Sequence, residues 1–338
     1  MKKSVVMIPT VLATLTLGVA GCGTNTASGS GNSATTSIQS SVSTTHQTGS
    51  TSQATTSQTV TQSFPITLTD GAGHKVTIAR RPERIASTTE GTDEILTALV
   101  PKKDIVLVTS YADDPQYSNV TALVKGIPTI QNLNAEQVIA ARPDLVLTAT
   151  YAKQSVVHQI EQVGIPTYEF NDFNSIASIE RNIEIVGKLV GQEAKAVKLV
   201  STMQSQLKNV ENAVRNQKKV TVLDYSSYGY AAGSSTTVNN IIVDAGGINA
   251  AARLNGWQQI SDEEIVKLNP NVIIDASDDK GFVHKILSNP ALVDVSAVKN
   301  HRVYRVNSAD LTSVSQYITR GVRDVAKVLY PNVKIGNE

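Results

Sequence analysis

The chain has 338 residues and a formal net charge of +1, with 30 Lys and Arg residues against 29 Asp and Glu residues. This balance, without a basic run in the body of the chain, argues against nucleic acid as a partner. The single cysteine excludes a disulfide within the chain.

Residues 1–21 have the pattern of a secretory signal peptide. A short basic start precedes an apolar run from Val5 to Val19, which is too short to span a bilayer. The run ends in the letters VAGC, which resemble a bacterial lipobox. We therefore predict that Cys22 becomes the lipid-bearing first residue of the mature chain. The alternative is an ordinary secreted protein with a chance cysteine.

Residues 22–63 form a predicted tether behind the lipidated cysteine. Positions 23–63 hold 23 Ser or Thr residues among 41 and no Lys, Arg, Asp or Glu. A segment this polar has too little apolar surface to offset the entropy of ordering, so we predict a disordered connection. Lipid and tether together would hold the rest of the chain at the outer surface of the cell membrane.

The body of the chain alternates aliphatic runs with helix-like segments. The runs are continuous rather than alternating, which is typical of strands covered by helices on both faces. We therefore predict an α/β fold with largely parallel sheets. The predicted strands are 84–88, 105–110, 144–149, 167–170, 220–225, 272–277 and 303–306.

A long helical region separates these strands into two groups. From Ser175 to about Gln217 apolar residues keep helical spacing, with Asn174 as the predicted N-cap and Gly191 as a break or bend. The pattern predicts two α/β lobes joined by a long helical bridge, which restrains hinge motion more than loops would. The N-terminal lobe, the bridge and the C-terminal lobe are predicted at 64–173, 174–217 and 218–338.

One helix–strand unit occurs twice, at residues 134–147 and 261–274. Each copy starts with a polar N-cap residue, has a glutamate two positions later, Glu136 or Glu263, and then a proline before an aliphatic run. A related unit on each side of the bridge predicts a pseudo-symmetric pair of lobes. Their ligand cleft is expected between them, at the carboxyl ends of the strands.

Tyrosines and the single tryptophan gather at the predicted strand ends. Only 4% of the chain is aromatic, so this grouping is informative. An aromatic-lined cleft suits a bulky or planar ligand. The predicted ligand-binding residues are Tyr111, Tyr151, Tyr228, Tyr230, Trp257, Asp310, Tyr317 and Arg320.

The usual catalytic patterns are missing from the sequence. The five histidines are scattered, and there is no His-x-x-x-His pair, nucleophilic cysteine or Gly-x-Ser-x-Gly elbow. The pairs Asp113–Asp114 and Asp278–Asp279 are interpreted as solvated turns. Since no histidines and carboxylates converge in the sequence pattern, we predict neither a metal centre nor an enzyme.

A series of short motifs runs through the whole body. They are ITLTDG at 66–71, PERI at 82–85, TDEIL at 92–96, GKLVG at 187–191, DAGGIN at 244–249 and VKNHRVY at 298–304. In order and spacing they resemble the Fe/B12 periplasmic-binding family, the cobalamin- and siderophore-binding proteins of ABC importers. The resemblance implies a bulky metal chelate bound between two lobes and delivered to a membrane permease with its ATPase.

The resemblance also implies roles for particular residues. In this family a glutamate near the start of each repeated helix docks onto permease arginines, which assigns that role to Glu136 and Glu263. Tyr111 and Trp257 match aromatic positions of cobalamin binders. Ile130 and Ala149 depart from that pattern, because tryptophans are expected there.

The ligand stays open at this point between cobalamin or another corrinoid and a ferric siderophore. Haem is an alternative, for which Tyr111 or Tyr228 would serve as the axial ligand. Arg320 and Arg253 are the only arginines expected near the cleft, so a neutral or cationic chelate fits better than a catecholate one. A two-lobed α/β enzyme and a surface sensor or adhesin are the alternatives outside transport. We expect a monomer.

Overall fold

A computed structural model of the chain describes residues 63–336. The predicted signal peptide, Cys22 and the tether up to residue 62 lie outside the described residues. Within the described part of the chain, no helix is both long enough and apolar enough to cross a membrane.

The N-terminal lobe is built around a parallel sheet. Its strands are β1 (Ile66–Thr69), β2 (Lys75–Ile78), β3 (Ile85–Ser87), β4 (Ile105–Thr109), β5 (Thr129–Ile130), β6 (Leu145–Ala149) and β7 (Thr167–Phe170). Strands β1 and β2 form an antiparallel hairpin, and the sheet has the order β5-β4-β3-β6-β7 with parallel neighbours throughout. Its helices are α1 (Glu90–Leu99), α2 (Thr121–Val124), α3 (Ala135–Ala140) and α4 (Gln154–Gln162).

Two helices, α5 (Ile176–Leu189) and α6 (Glu193–Val214), follow the first lobe. They pack against each other, and the turn between them contains Gly191 at a φ of +66°, a conformation that favours glycine. The predicted break at Gly191 is thus a full chain reversal, and α6 continues to the second lobe, where it packs against two of that lobe's helices. The predicted N-cap Asn174 is wrong by one position. The Ser175 hydroxyl accepts from the backbone N–H of Ser178 at 3.1 Å and completes a capping box.

The C-terminal lobe repeats the parallel arrangement. Its strands are β8 (Thr221–Asp224), β9 (Tyr230–Ala232), β10 (Ile248–Asn249), β11 (Trp257–Gln259), β12 (Val272–Ala276) and β13 (Val303–Val306), and its helices are α7 (Thr237–Asp244), α8 (Asp262–Leu268), α9 (Phe282–Leu287), α10 (Ser296–Lys299), α11 (Ser308–Leu311) and α12 (Ile318–Leu329). The sheet has the order β10-β8-β12-β13, all parallel, while β9 and β11 form a separate antiparallel pair.

The predicted α/β fold with two largely parallel sheets is confirmed. Each of the seven predicted strands is present, with both ends within one residue of the prediction. The apolar runs are buried on both faces, as in β6, where all five residues are buried. One hydrophobic cluster continues from the first lobe through α5 and α6 into the second, so the two sheets share part of their core.

A close backbone approach joins the two lobes at Gly91 in α1. A Cβ atom at this position would lie 2.7 Å from Val314 Cγ2 and 2.9 Å from the Val314 carbonyl oxygen. Real Cβ atoms do not come this close, so α1 can approach the segment before α12 only because residue 91 is glycine.

We expect Gly91→Ala to destabilise the chain. Overpacking of this kind lowers the free energy of unfolding by about 1–3 kcal/mol. The better helix propensity of alanine offsets at most about 1 kcal/mol of this loss. Thermal unfolding followed by circular dichroism measures the loss. Gly336→Ala is the control, because a Cβ there has nothing within 4 Å. Equal midpoints for the two variants would contradict the contact.

Candidate functional site

The N-terminal lobe carries a cavity of about 590 Å³ at the carboxyl edge of its sheet, named here the N-lobe cavity. Thr88 follows β3, Thr109 ends β4 and Thr148 lies near the end of β6, and all three line it. Two predicted ligand-binding residues, Tyr111 and Tyr151, lie in its wall, and Tyr151 is 79% exposed. The cavity therefore occupies the edge at which ligands bind in open α/β sheets.

The C-terminal lobe carries a second cavity of about 280 Å³, named here the C-lobe cavity. Asp224 at the end of β8 and Asp275 in β12 line it, so this cavity also lies at the carboxyl edge of its sheet. Tyr228 and Trp257 contribute aromatic surface to its wall, and Tyr228 is 82% exposed. The third aromatic predicted in this region, Tyr230, lies on β9 opposite Gln259 of β11 and is exposed, but it does not line the cavity.

The two cavities lie on either side of one cleft. Tyr117 of the N-terminal lobe packs edge-to-face against Tyr111, with ring centroids 5.4 Å apart. Burial raises the pKa of the Tyr117 hydroxyl, and the Asp278 carboxylate of the other lobe adds to the rise. The Ser308 hydroxyl of the other lobe donates to the Gln116 carbonyl oxygen, next to Tyr117, at 2.7 Å, so the two lobes meet at this tyrosine. Tyr117 was not among the predicted ligand residues, although it follows strand β4 by eight positions.

Another cavity, of about 540 Å³, lies at the opposite edge of the second sheet. Its wall includes Lys219, just before β8, and Gly246, just before β10. These positions are at the amino ends of the strands. Ligands in open parallel sheets bind at the carboxyl ends, so we place the functional site at the cleft instead.

The remaining predicted ligand residues lie between the lobes rather than on a cavity wall. Arg320 has its guanidinium carbon 4.5 Å from the centre of the Tyr317 ring and donates to Asn119 Oδ1 at 3.1 Å. Asp310 is buried, and burial raises the pKa of its carboxyl to about 6, with Asp324 adding to the rise. Of these side chains Arg320 connects the lobes through Asn119, and none of the three lines either cavity.

The floor of the N-lobe cavity is acidic. Glu90 in the first turn of α1 lines the cavity, and its Oε1 is buried without a hydrogen-bond partner. Burial raises the pKa of Glu90 well above its usual value, and the neighbouring carboxyls of Glu94 and Asp93 raise it further. Burial also raises the pKa of Asp93 to about 7, although Thr109 donates to it twice. Lys153 is the basic residue of this wall.

The C-lobe cavity has an acidic floor as well. Asp224 and Asp275 come from neighbouring parallel strands. Burial raises the pKa of Asp224 well above its usual value, and the carboxyl of Asp275 adds to this. Burial raises the pKa of Asp275 to about 7, and its Oδ2 is buried without a hydrogen-bond partner. Asp278 and Asp279 lie on the wall beside a single lysine, Lys280.

These buried acids were not among the residues predicted from the sequence. For Asp224 and Asp275 a signal was available, because each ends an aliphatic run, Val-Leu-Asp and Ile-Ile-Asp, on strands that are neighbours in the sheet. The signal for Glu90 was weaker. Its spacing from Asp93 and Glu94 predicts that the three acids share one helix face, but only the folded structure shows that the Glu90 side chain lies in a cavity wall and that Glu94 packs against the other lobe.

The two glutamates of the repeat are exposed and occupy equivalent positions. Asn134 caps α3 by accepting from Gln137 N at 2.9 Å, and Ser261 caps α8 by accepting from Glu264 N at 3.3 Å. This confirms both predicted N-caps. The hydrogen bond from the Ser261 side chain lowers the pKa of the Glu263 carboxyl, so Glu263 is fully charged at neutral pH.

The chain matches a known protein family. Residues 85–309 match the family model described as periplasmic binding protein. A protein of Bacillus subtilis (strain 168), named as the uncharacterized ABC transporter substrate-binding lipoprotein YvrC, is 31% identical over 283 residues, which cover 80% of this chain and 88% of that protein.

More distant relatives carry more specific names. The vitamin B12-binding protein of Yersinia pestis (strain Pestoides F) is 24% identical over 200 residues, covering 58% of this chain and 70% of that protein. Among solved structures, a possible iron-binding, periplasmic solute-binding protein of Staphylococcus epidermidis ATCC 12228 superposes with a TM-score of 0.67. It is 27% identical and covers 74% of this chain and 100% of that one.

The buried carboxyls predict the pH dependence of stability. A carboxyl whose pKa rises from 3.8 when unfolded to about 7 when folded binds a proton in the folded chain that it loses on unfolding. Its stabilising effect is complete below about pH 4 and is lost as the pH rises towards about 7. The chain should therefore unfold at a higher temperature at about pH 5 than at about pH 8.

The variant Asp275→Asn cannot ionise at this position, so its unfolding midpoint should fall less between about pH 5 and about pH 8. The control is Asp113→Asn, at an exposed aspartate. Its unfolding midpoint should fall as much as that of the wild type. Differential scanning calorimetry of the three proteins measures this. An Asp275→Asn variant that follows the wild-type pH profile would contradict the raised pKa of Asp275.

Proposed function

This chain belongs to the periplasmic binding protein family, and we propose that it captures a bulky metal chelate outside the cell and delivers it to the permease of an ABC importer. It is a solute-binding protein and not an enzyme. Within that class, we propose a cobalamin-like corrinoid or a ferric siderophore as the solute. The observation that carries this proposal is the cleft, which has a cavity at the carboxyl edge of each sheet and aromatic side chains on both walls.

The charge of the cleft supports a neutral or cationic chelate. Four aspartates and one lysine line the C-lobe cavity, and Glu90 and Lys153 line the other. Several of these acids are buried and have raised pKa values, so they resist ionisation unless a positive charge approaches. A ligand with several negative charges would raise the free-energy cost of ionising these acids. This disfavours catecholate siderophores and the carboxylates of haem.

The aromatic residues give the proposed ligand its contact surface. Tyr111 and Tyr151 stand on the N-terminal wall and Tyr228 and Trp257 on the other, all with a large exposed fraction. Flat side chains of this kind bury much area at a small entropic cost when a bulky ligand covers them. The four other predicted residues are proposed to contribute only where the bound ligand extends beyond the two cavities; they are Tyr230, Tyr317, Arg320 and Asp310.

Glu136 and Glu263 are proposed as the contacts to the permease, one on each lobe. Residues 131–133, just before α3, line the N-lobe cavity, and Trp257, just before α8, lines the other. The two helices therefore start at the face of the molecule on which the cleft opens. Exposed carboxylates in a first helical turn are stable there and remain free to pair with arginines of a partner.

Cys22 is proposed to carry a lipid that anchors the chain outside the cell membrane. The relative from Bacillus subtilis is named a lipoprotein, and the letters VAGC at positions 19–22 supply the expected cysteine. In this arrangement the protein acts as a tethered monomer that loads its solute close to the permease.

The double variant Glu136→Ala/Glu263→Ala tests docking. We expect uptake of the solute by cells to be lost while the affinity of the purified protein for it is unchanged, because neither carboxylate lines a cavity. Gln137→Ala/Glu264→Ala is the matched control, since it truncates the next exposed residue of the same two helical turns. Wild-type uptake by the first variant would contradict docking through these residues.

The single tryptophan tests the ligand class. Cyanocobalamin, a cationic ferric hydroxamate, a ferric catecholate and haemin are titrated separately while the fluorescence of Trp257 is recorded. We expect saturable quenching by cyanocobalamin or the hydroxamate and none by the catecholate. Trp257→Phe, read by isothermal calorimetry, should bind more weakly than the wild type. Selective binding of the catecholate or of haemin would overturn the charge argument.

A further inference from the structure

The turn of the β1–β2 hairpin rests on β7, the edge strand of the first sheet. The Gly71 N–H donates to the Glu169 carbonyl oxygen at 2.6 Å, and the Tyr168 hydroxyl donates to the Thr69 carbonyl oxygen at 3.0 Å. A Cβ at Gly71 would lie 2.6 Å from the Asn171 nitrogen, so the turn and the strand are in close backbone contact. Neither cavity of the cleft includes these residues.

Three side chains with metal-binding atoms converge at this contact. Asp70, His74 and Glu169 each place one ligand atom so that all three atoms lie within 4.8 Å of one another. Asp70 is 7% exposed and Glu169 is fully buried. His74 reaches the surface with 54% of its side chain exposed. The sequence pattern predicts no such convergence, because Asp70 and Glu169 lie far apart in the chain and only the fold brings them together.

One oxygen of each carboxylate in this group has no hydrogen-bond donor. Asp70 Oδ2 and Glu169 Oε1 are both buried without a partner. The other oxygens of the same groups are satisfied: Asp70 Oδ1 accepts from the backbone N–H groups of Ala72 and His74, and Glu169 Oε2 accepts from Gln154 at 2.7 Å. These bonds fix both carboxylates, so that one free oxygen of each is held in place.

Two buried carboxylate oxygens this close to each other are stabilised by a cation between them or by a proton on one of the two groups. His74 does not supply the positive charge by a hydrogen bond, because its Nδ1 lies 3.9 Å from Asp70 Oδ2. One imidazole nitrogen and two carboxylate oxygens form a ligand set that divalent transition metals accept, with zinc bonds of about 2.0–2.2 Å. The His74 side chain is half-exposed, so it can move towards an ion held by the two carboxylates.

We propose that Asp70, His74 and Glu169 bind a divalent transition-metal ion of the zinc type, with water completing its coordination. The ion clamps the hairpin onto the edge of the first sheet. Its role is structural, since the site lies outside both cavities of the cleft. The hairpin is the first described element after the predicted tether, so the ion strengthens the part of the body that follows the tether directly in the chain.

Zinc binding by the full-length chain tests the proposal. The protein is stripped with a chelator, dialysed against ZnCl₂ with excess Mg²⁺ and analysed for retained metal and for its thermal midpoint. We expect one zinc ion per chain and a midpoint raised by about 4 °C or more, because a ligand that binds only the folded state stabilises it. A wild-type chain that retains no zinc overturns the proposal.

His74→Ala should lose both the retained zinc and the rise in midpoint. His158→Ala is the matched control, because His158 is another exposed histidine beside one carboxylate, 3.1 Å from Glu161, and should keep both effects. Glu169→Gln is a second variant that preserves the shape of the buried side chain. It should fold without metal and bind no zinc. Zinc bound at wild-type stoichiometry by either His74→Ala or Glu169→Gln contradicts the assignment.

Discussion

The arrangement of the two lobes depends on the hydrogen bonds that the buried carboxylate of Glu94 accepts. Its oxygens accept from the Asn119 N–H of its own lobe at 2.7 Å and from the hydroxyls of Ser313 and Ser315 of the other lobe. Burial raises the pKa of the Glu94 carboxyl and these hydrogen bonds oppose the rise, so the buried group is tolerated only while its donors remain in place. Opening the cleft widely would remove two of them, so the structure favours small adjustments of the lobes over a wide hinge motion.

The acidic floors of the cleft connect ligand binding to protonation. Asp224 and Asp275 lie one register position apart on neighbouring parallel strands, and both are buried, so both cannot be ionised without a large cost in free energy. A ligand with positive charge lowers that cost and favours the ionised forms. Binding of such a ligand therefore releases protons, whereas binding of a neutral ligand leaves the carboxyls protonated. The same residues thus reduce stability near neutral pH and, under the proposed function, select the charge of the ligand.

Sequence patterns predicted the parts of the fold that depend on local burial. Continuous aliphatic runs located the main strands, but the two-residue strands β5 and β10 are too short to leave such a pattern. Asn174 and Ser175 are both good capping residues, so local preference could not choose between them. Aromatic residues at strand ends identified Tyr111 and Tyr151 on a cavity wall. The burial of Glu94 depends on contacts with Ser313 and Ser315 of the other lobe, which no local pattern contains.

The rigidity of the connection between the lobes bears on the proposed docking of the permease. The lobes are held by Glu94, by the shared core around α5 and α6 and by the bond from Asn119 Nδ2 to the Ala309 carbonyl oxygen. These contacts limit how far the separation of Glu136 and Glu263 can change. A permease that pairs with both carboxylates at once would therefore meet a nearly fixed spacing. Under the docking proposal, a ligand that contacts Trp257 and the opposite wall changes that spacing slightly, because the loops that line the cavities lead directly into α3 and α8.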